Sequence, residues 1–123
     1  MRAWQNYKQL NVWNKSMELT DAVYDLIEKM PKTEQFSLAA QLRRAVISVP
    51  SNIAEGNGRV SAKEFKQFLS VAKGSVYEVE TQLLIGVRRQ FFSQADAEIA
   101  LSLCDDVSRM LTGLIFHLDK KLS

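Results

Sequence analysis

Cys104 and His117 are the only cysteine and the only histidine in the chain, so any thiol nucleophile with a histidine base has to use this pair. They stand thirteen residues apart in a stretch with helical periodicity. That is roughly 20 Å along a straight helix at about 1.5 Å per residue, too far for a dyad within one chain. The reading is a small packed cysteine and a surface or interface histidine. Glu-x-x-His pairs of the di-iron kind are absent, as is any Cys/His zinc spacing, so no metal is expected. Gly56-Asn57-Gly58 is not a phosphate loop, because no Gly-Lys-Ser/Thr follows and no strand pattern precedes it. Asn52, Glu55 and Arg59 remain as a polar constellation that could do acid/base work or hold a small polar ligand or nucleotide. No catalytic residue and no cofactor are assigned.

Phosphate binding is the other chemistry to weigh. Lys63, Lys66 and Lys73 share one helical face, which Arg59 enters from the preceding turn, while Arg88 and Arg89 add charge at the far end. Such a stripe can neutralise phosphates and release their counterions. It can equally be a solvated helix face, and Glu64, Glu78 and Glu80 dilute it. Arg43 and Arg44 complete the candidate nucleic-acid contacts: Arg43, Arg44, Arg59, Lys63, Lys66 and Lys73.

The elements that carry these residues are helical. Val12, Trp13, Leu19, Val23, Tyr24, Ile27 and Met30 recur near three and four, which predicts a first helix over Asn11 to Met30, ended by Pro31. Thr33 is placed to cap a second helix, from about Glu34 to Glu55, with Phe36 opening its apolar stripe. Leu38, Leu42, Ala45, Val46, Val49 and Ile53 fall within roughly 100° of one another on both sides of Pro50, so one helix kinked at Pro50 is expected rather than a loop. Ser48, Ser51 or Asn52 is expected to satisfy the carbonyl that the proline frees. Gly56 or Gly58 is expected as a left-handed C-cap. Ser61-Ala62-Lys63-Glu64 is a capping box opening a third helix, striped by Phe65, Phe68, Leu69, Ala72, Val76, Val79, Leu83 and Val87 and ending near Gln90. Ser93 opens a fourth, with Ile99, Leu103, Val107, Met110, Leu111, Leu114 and Leu118 as its stripe. The fold class is all-α: an antiparallel up-down-up-down four-helix bundle with neighbours crossing at about 20°. Residues 1–10, with Trp4 and Tyr7, form an N-terminal tail, and residues 11–123 form a single domain.

Two surfaces remain once a core is assigned. Gln41, Arg44, Ser48, Asn52 and Glu55 lie within about 80° on the second helix. They form a hydrogen-bonded network that fixes the helix pairing, or a small ligand pocket. Glu55 at a helix C-terminus calls for a cationic partner, Arg59 or Arg44. Val71, Gly74, Tyr77, Leu84 and Ile85 lie away from the third helix's core stripe. They are either ordinary exposed apolar side chains or an oligomer interface, and a mid-helix glycine costing about 1 kcal/mol favours close approach by something.

Composition sets the outer limits. The chain has 123 residues, enough for one domain with a core, and a net charge of +2, too mild to announce a nucleic-acid binder. A lone cysteine excludes an internal disulfide and fits a reducing cytoplasm. The polar opening, Met1 to Lys8, carries no basic-then-apolar leader, and no apolar run approaches the roughly 20 residues that span a bilayer.

The strings "AQLRRAVISVPSNIAEGNGR" and "SAKEFKQFLSVAKGSVYEVETQL" resemble the signature of the four-helix-bundle proteins called 23S ribosomal RNA intervening-sequence proteins. The shared positions are Gln41, Arg43, Arg44, Ala45, Ser48, Pro50, Asn52, Ala54, Glu55, Gly56, Gly58 and Arg59. They continue through Phe65, Leu69, Ala72, Gly74, Ser75, Glu78 and Gln82. "LNVWNKSMELTDAVYDLIEKMP" looks like the family's opening helix, and the likeness is weakest over residues 92–123. The resemblance implies a cytoplasmic bacterial bundle with no established catalytic residue. Some members are encoded within insertions in large-subunit ribosomal RNA genes. Related accessory proteins of diversity-generating retroelements form pentameric barrels with a basic surface that engages nucleic acid, and the milder charge here departs from theirs. The implied partners are further copies of the chain, as a pentamer, and RNA or another nucleic acid.

Overall fold

Serine caps and apolar stripes organise the chain into four long helices in a computed structural model that describes residues 6–122. They are α1 (Asn11–Lys29), α2 (Leu38–Asn57), α3 (Ala62–Arg88) and α4 (Gln94–Leu122), and no strand occurs among the described residues. The Ser61 hydroxyl accepts from the Glu64 amide at 3.1 Å and donates to the Glu64 carboxylate at 3.3 Å, covering an orphan amide at the start of α3. Ser93 accepts from the Asp96 amide at 3.0 Å and does the same for α4. Met30 turns to extended backbone before Pro31 and ends α1.

Each helix packs against two others, in the cyclic order α1–α2–α3–α4. The ends that meet are the end of one helix and the start of its neighbour. Gly56 of α2 abuts Phe65 and Phe68 of α3, and Lys66 of α3 pairs with Asp119 of α4. Leu19, Val23, Leu42, Val46, Val49, Ile53, Phe65, Leu69, Val76, Val79, Leu83, Val107 and Leu111 fill the interior. Pro50 is buried within α2, which runs through it without a break.

Several boundaries differ from expectation. The second helix starts at Leu38, not Glu34, because Lys32–Glu34 closes a separate 3-10 turn. Thr33 therefore caps nothing, and Phe36 is 89 % exposed in the connector rather than opening a buried stripe. No glycine takes a left-handed conformation among the described residues: Gly58, the C-cap of α2, has φ −77°. The left-handed residue is Gln90, at φ 63°, after α3. Its amide bonds to the Val87 carbonyl at 3.0 Å and the next amide, of Phe91, to that of Gly86 at 2.9 Å, a Schellman closure made without glycine. On α4 the buried line runs through Ala97, Ala100, Cys104, Val107 and Leu111, and Ile99 is 70 % exposed. Of the expected stripe, Val107, Leu111 and Leu118 are buried and Leu103, Met110 and Leu114 pack partly buried against the core, so Ile99 is the member that faces solvent.

In the tail, Tyr7–Gln9 forms one 3-10 turn, and Tyr7 meets the Trp13 ring edge-on at 5.2 Å. Trp4 lies outside the described residues.

Candidate functional site

The polar track of α2 faces α3. Ser48 and Ser75 share a hydrogen bond of 2.9 Å across the two helices, and Asn52 donates to the Ser48 hydroxyl at 2.9 Å and to its carbonyl at 2.8 Å. Asn52 thus reinforces the Ser48 carbonyl rather than covering that of Val46, which loses its partner to Pro50. Glu55 is joined to Arg59, 3.3 Å away, and not to Arg44. Gln41 is exposed. Two helical turns beyond Ser75 the same side of α3 carries Gln82, 6 % exposed, whose Oε1 is buried without a hydrogen-bond partner. A buried acceptor left unpaired costs about 1–3 kcal/mol. Ser48, Asn52 and Ser75 therefore form one network, Glu55 and Arg59 a separate exposed pair, and Gln41 joins neither.

The seam closes tightly at its lower end. A Cβ built on Gly56 would stand 2.5 Å from the Phe68 Cβ and 3.1 Å from the Phe65 ring. Arg59 then lays its guanidinium over the Phe68 ring, 4.8 Å from its centroid, while holding Glu55.

The six candidate phosphate contacts have different surroundings. Arg43 sits on the α1 side of α2, donating to the Gln35 carbonyl at 3.0 Å beside Ile27, Met30 and Ala39. Lys66 is tied to Asp119 on the α4 side of α3. Lys73 lies 6.0 Å from the ring centroid of Tyr77, whose hydroxyl approaches Ser108 of α4. Arg44 and Lys63 are exposed, and their side chains make no ion pair or hydrogen bond to another described residue.

Val71, Tyr77, Leu84 and Ile85 are between 43 % and 55 % exposed along the outside of α3. A Cβ on Gly74, in the middle of this face, would meet nothing within 4 Å. Nothing inside the subunit approaches this glycine. The face is an apolar strip with an open notch at its centre.

Chemistry at Cys104 is suppressed. The side chain is buried, and burial, with Glu80 and Asp105 nearby, pushes its thiol from 9.0 up to about 12. A protonated thiol is a poor nucleophile. His117 is exposed thirteen residues further along the same helix. No group of His, Cys, Asp or Glu among the described residues is placed to hold a metal ion, and no helix is long and apolar enough to cross a membrane.

A family model described as 23S rRNA-intervening sequence protein matches residues 8–113. The chain belongs to that family. The match takes in all of α2 and α3, and so the whole polar seam and the α3 strip. This intervening-sequence family chain is also similar to the crystal structure of a protein of unknown function from the S23 ribosomal protein family of Bacteroides thetaiotaomicron. The TM-score is 0.78 at 22 % identity, over 85 % of this chain and 97 % of that one, a likeness of fold. No match was found among curated proteins.

Charge in this family member is also divided between helices, a pattern that reading single stripes does not reveal. Residues 38–89, which hold α2 and α3, carry eight Lys and Arg against four Asp and Glu; α1 and α4 together carry five against nine. The two halves therefore differ in sign, net +4 against net −4, within a chain of net +2. Tallying charge by helix would have found this split in the sequence.

Proposed function

We propose that this protein is a non-catalytic, self-associating helical bundle, a homo-oligomer whose subunits meet through the outer strip of α3. The observation that carries the reading is the row of half-exposed Val71, Tyr77, Leu84 and Ile85 around the open Gly74. Covering the exposed half of each large side chain is worth roughly 1 kcal/mol, so the four together supply a substantial part of a subunit contact. A notch at the strip's centre lets another backbone or side chain approach, which explains a glycine that is costly in mid-helix. The sequence resemblance implies a pentamer, and the lone free cysteine fits a cytoplasmic setting.

Light scattering tests the reading: the wild-type chain is expected at a multiple of 14.0 kDa. Leu84→Asp with Ile85→Asp should reduce it to a single chain while circular dichroism keeps its helical signal. A monomeric wild-type chain at high concentration would end the proposal.

A second reading, association with RNA or another nucleic acid, draws support from the net +4 half and from the exposed Arg44 and Lys63. Filter binding at two salt concentrations is expected to show retention at low salt that Arg44→Glu with Lys63→Glu removes. Retention unchanged by that pair, or absent at low salt, removes the reading instead.

A further inference from the structure

An exposed strip on α3 needs a counterpart, and the opposite side of the same molecule offers one. Between α1 and α4 runs a groove of ≈ 390 Å³ lined by Glu18, Glu98, Ile99, Ser102 and Leu103. Ile99 also borders a second hollow of ≈ 130 Å³ with Asp25 and Asp96 on its rim. At 70 % exposure, Ile99 is the most exposed large apolar side chain on any of the four helices among the described residues. The surface is an apolar ridge edged by four carboxylates and by Lys29.

We infer that the occupant of this α1/α4 surface is α3 of a second copy, so that the subunits join head to tail with Ile99 seated in the Gly74 notch. The inference rests on the self-association proposed above and adds the identity of the receiving face. Three observations carry it. The first is charge: the donor half is net +4 and the receiving half net −4. The α3 strip is edged by Lys63, Lys73 and Arg88, with Glu64, Glu78 and Glu80 as the opposing charges on the same helix. The receiving ridge is edged by four carboxylates, Glu18, Asp25, Asp96 and Glu98, against Lys29 on the same rim and Lys15, which holds Glu18 at 3.8 Å.

The second observation is shape. One face has a prominent apolar knob, Ile99, and the other an open position at Gly74 flanked by Val71 and Tyr77. The third concerns symmetry. An isologous contact, α3 on α3, sets a net-positive surface against itself, bringing Lys63 of one copy toward Arg88 of the other when the helices run antiparallel. A heterologous contact sets opposite signs together, with the apolar residues central and the charges at the rim, as in specific interfaces. Such a contact leaves each subunit with one donor and one receiving face, the condition for a closed ring.

Two variants test this by complementation. Leu84→Asp with Ile85→Asp disables the donor face, and Glu98→Lys with Ile99→Lys the receiving face. All four positions are exposed, so neither variant disturbs the core, and circular dichroism with thermal melting checks that each is folded. Each variant alone is expected to be monomeric. Mixed in equal amounts, they should give a heterodimer of twice the single-chain mass in native mass spectrometry, because each retains the face that the other lacks. A receiving-face variant that keeps the wild-type mass, while the α3 variant is monomeric, overturns the inference and leaves self-association through α3 intact. Two monomeric variants that do not combine also overturn it. A wild-type chain that is itself monomeric overturns the proposal beneath it.

Discussion

The same substitution at two glycines should have opposite effects. Gly56→Ala places a methyl 2.5 Å from the Phe68 Cβ, 3.1 Å from the Phe65 ring and 3.3 Å from the Phe65 carbonyl oxygen. The nearest atom is fixed to the α3 backbone, so no rotamer change relieves the clash and the two helices must move apart. Overpacking of this kind costs about 1–3 kcal/mol, and the better helix propensity of alanine returns about 1 kcal/mol of it. The net loss is about 0–2 kcal/mol, with roughly 4 °C in Tm per kcal/mol for a domain of this size, against a gain at the second glycine. At Gly74 the added methyl meets nothing within 4 Å, so only the propensity gain of about 1 kcal/mol remains. Both should be made in the Leu84→Asp, Ile85→Asp background, where association does not contribute to the apparent stability. Urea unfolding at one protein concentration then reads the two effects. A Gly56→Ala variant as stable as Gly74→Ala would refute the close approach of α2 and α3 argued here.

Further outcomes follow from other sites. Gln90→Gly should raise stability by about 0.5–1 kcal/mol in urea unfolding, since glycine takes φ near 63° without the Cβ clash of glutamine. Gln82→Met keeps the side-chain length and removes the unpaired Oε1, so it should stabilise by about 1 kcal/mol, with an unchanged midpoint counting against the orphaned acceptor. The Cys104 thiol is held up to about 12 in the fold, above its ordinary 9.0. The unfolded chain therefore releases this proton first, and stability present below pH 9 should fall as pH rises toward 12, with a limiting slope of about 1.4 kcal/mol per pH unit. Cys104→Ala should remove that slope when urea midpoints are compared at pH 8 and pH 10.5.

The helix count and the serine caps were legible because each rests on a local signal: Ser61 with Glu64, Ser93 with Asp96, and a stripe that keeps its phase through Pro50. The errors share a different cause. Phe36 was read as core because it is large and apolar, yet the 3-10 turn at Lys32–Glu34 uses up the residues that would have carried it inward. Ile99 was assigned to the α4 stripe because it is large and apolar, whereas the smaller Ala97, Ala100 and Cys104 hold the buried positions beside it. Gly56 looked like a helix stop, but its missing side chain makes room for Phe68 on another helix. Tertiary distance decides each of these cases, and local pattern does not contain it. For the candidate site, Ser48 and Asn52 were legible as a pair four residues apart, whereas Ser75, twenty-seven residues from Ser48, was visible only once the helices were in place.

The buried proline bears on how the chain reaches this fold. A mid-helix proline costs an isolated helix about 3 kcal/mol, so α2 cannot be a stable unit by itself and takes its helicity from the surfaces it packs on. α3, longer, capped by Ser61 and free of proline, has what is needed to form early and serve as the mould. On that view α2 is cast against α3 during folding, and Gly56 is the point at which the casting sits flush.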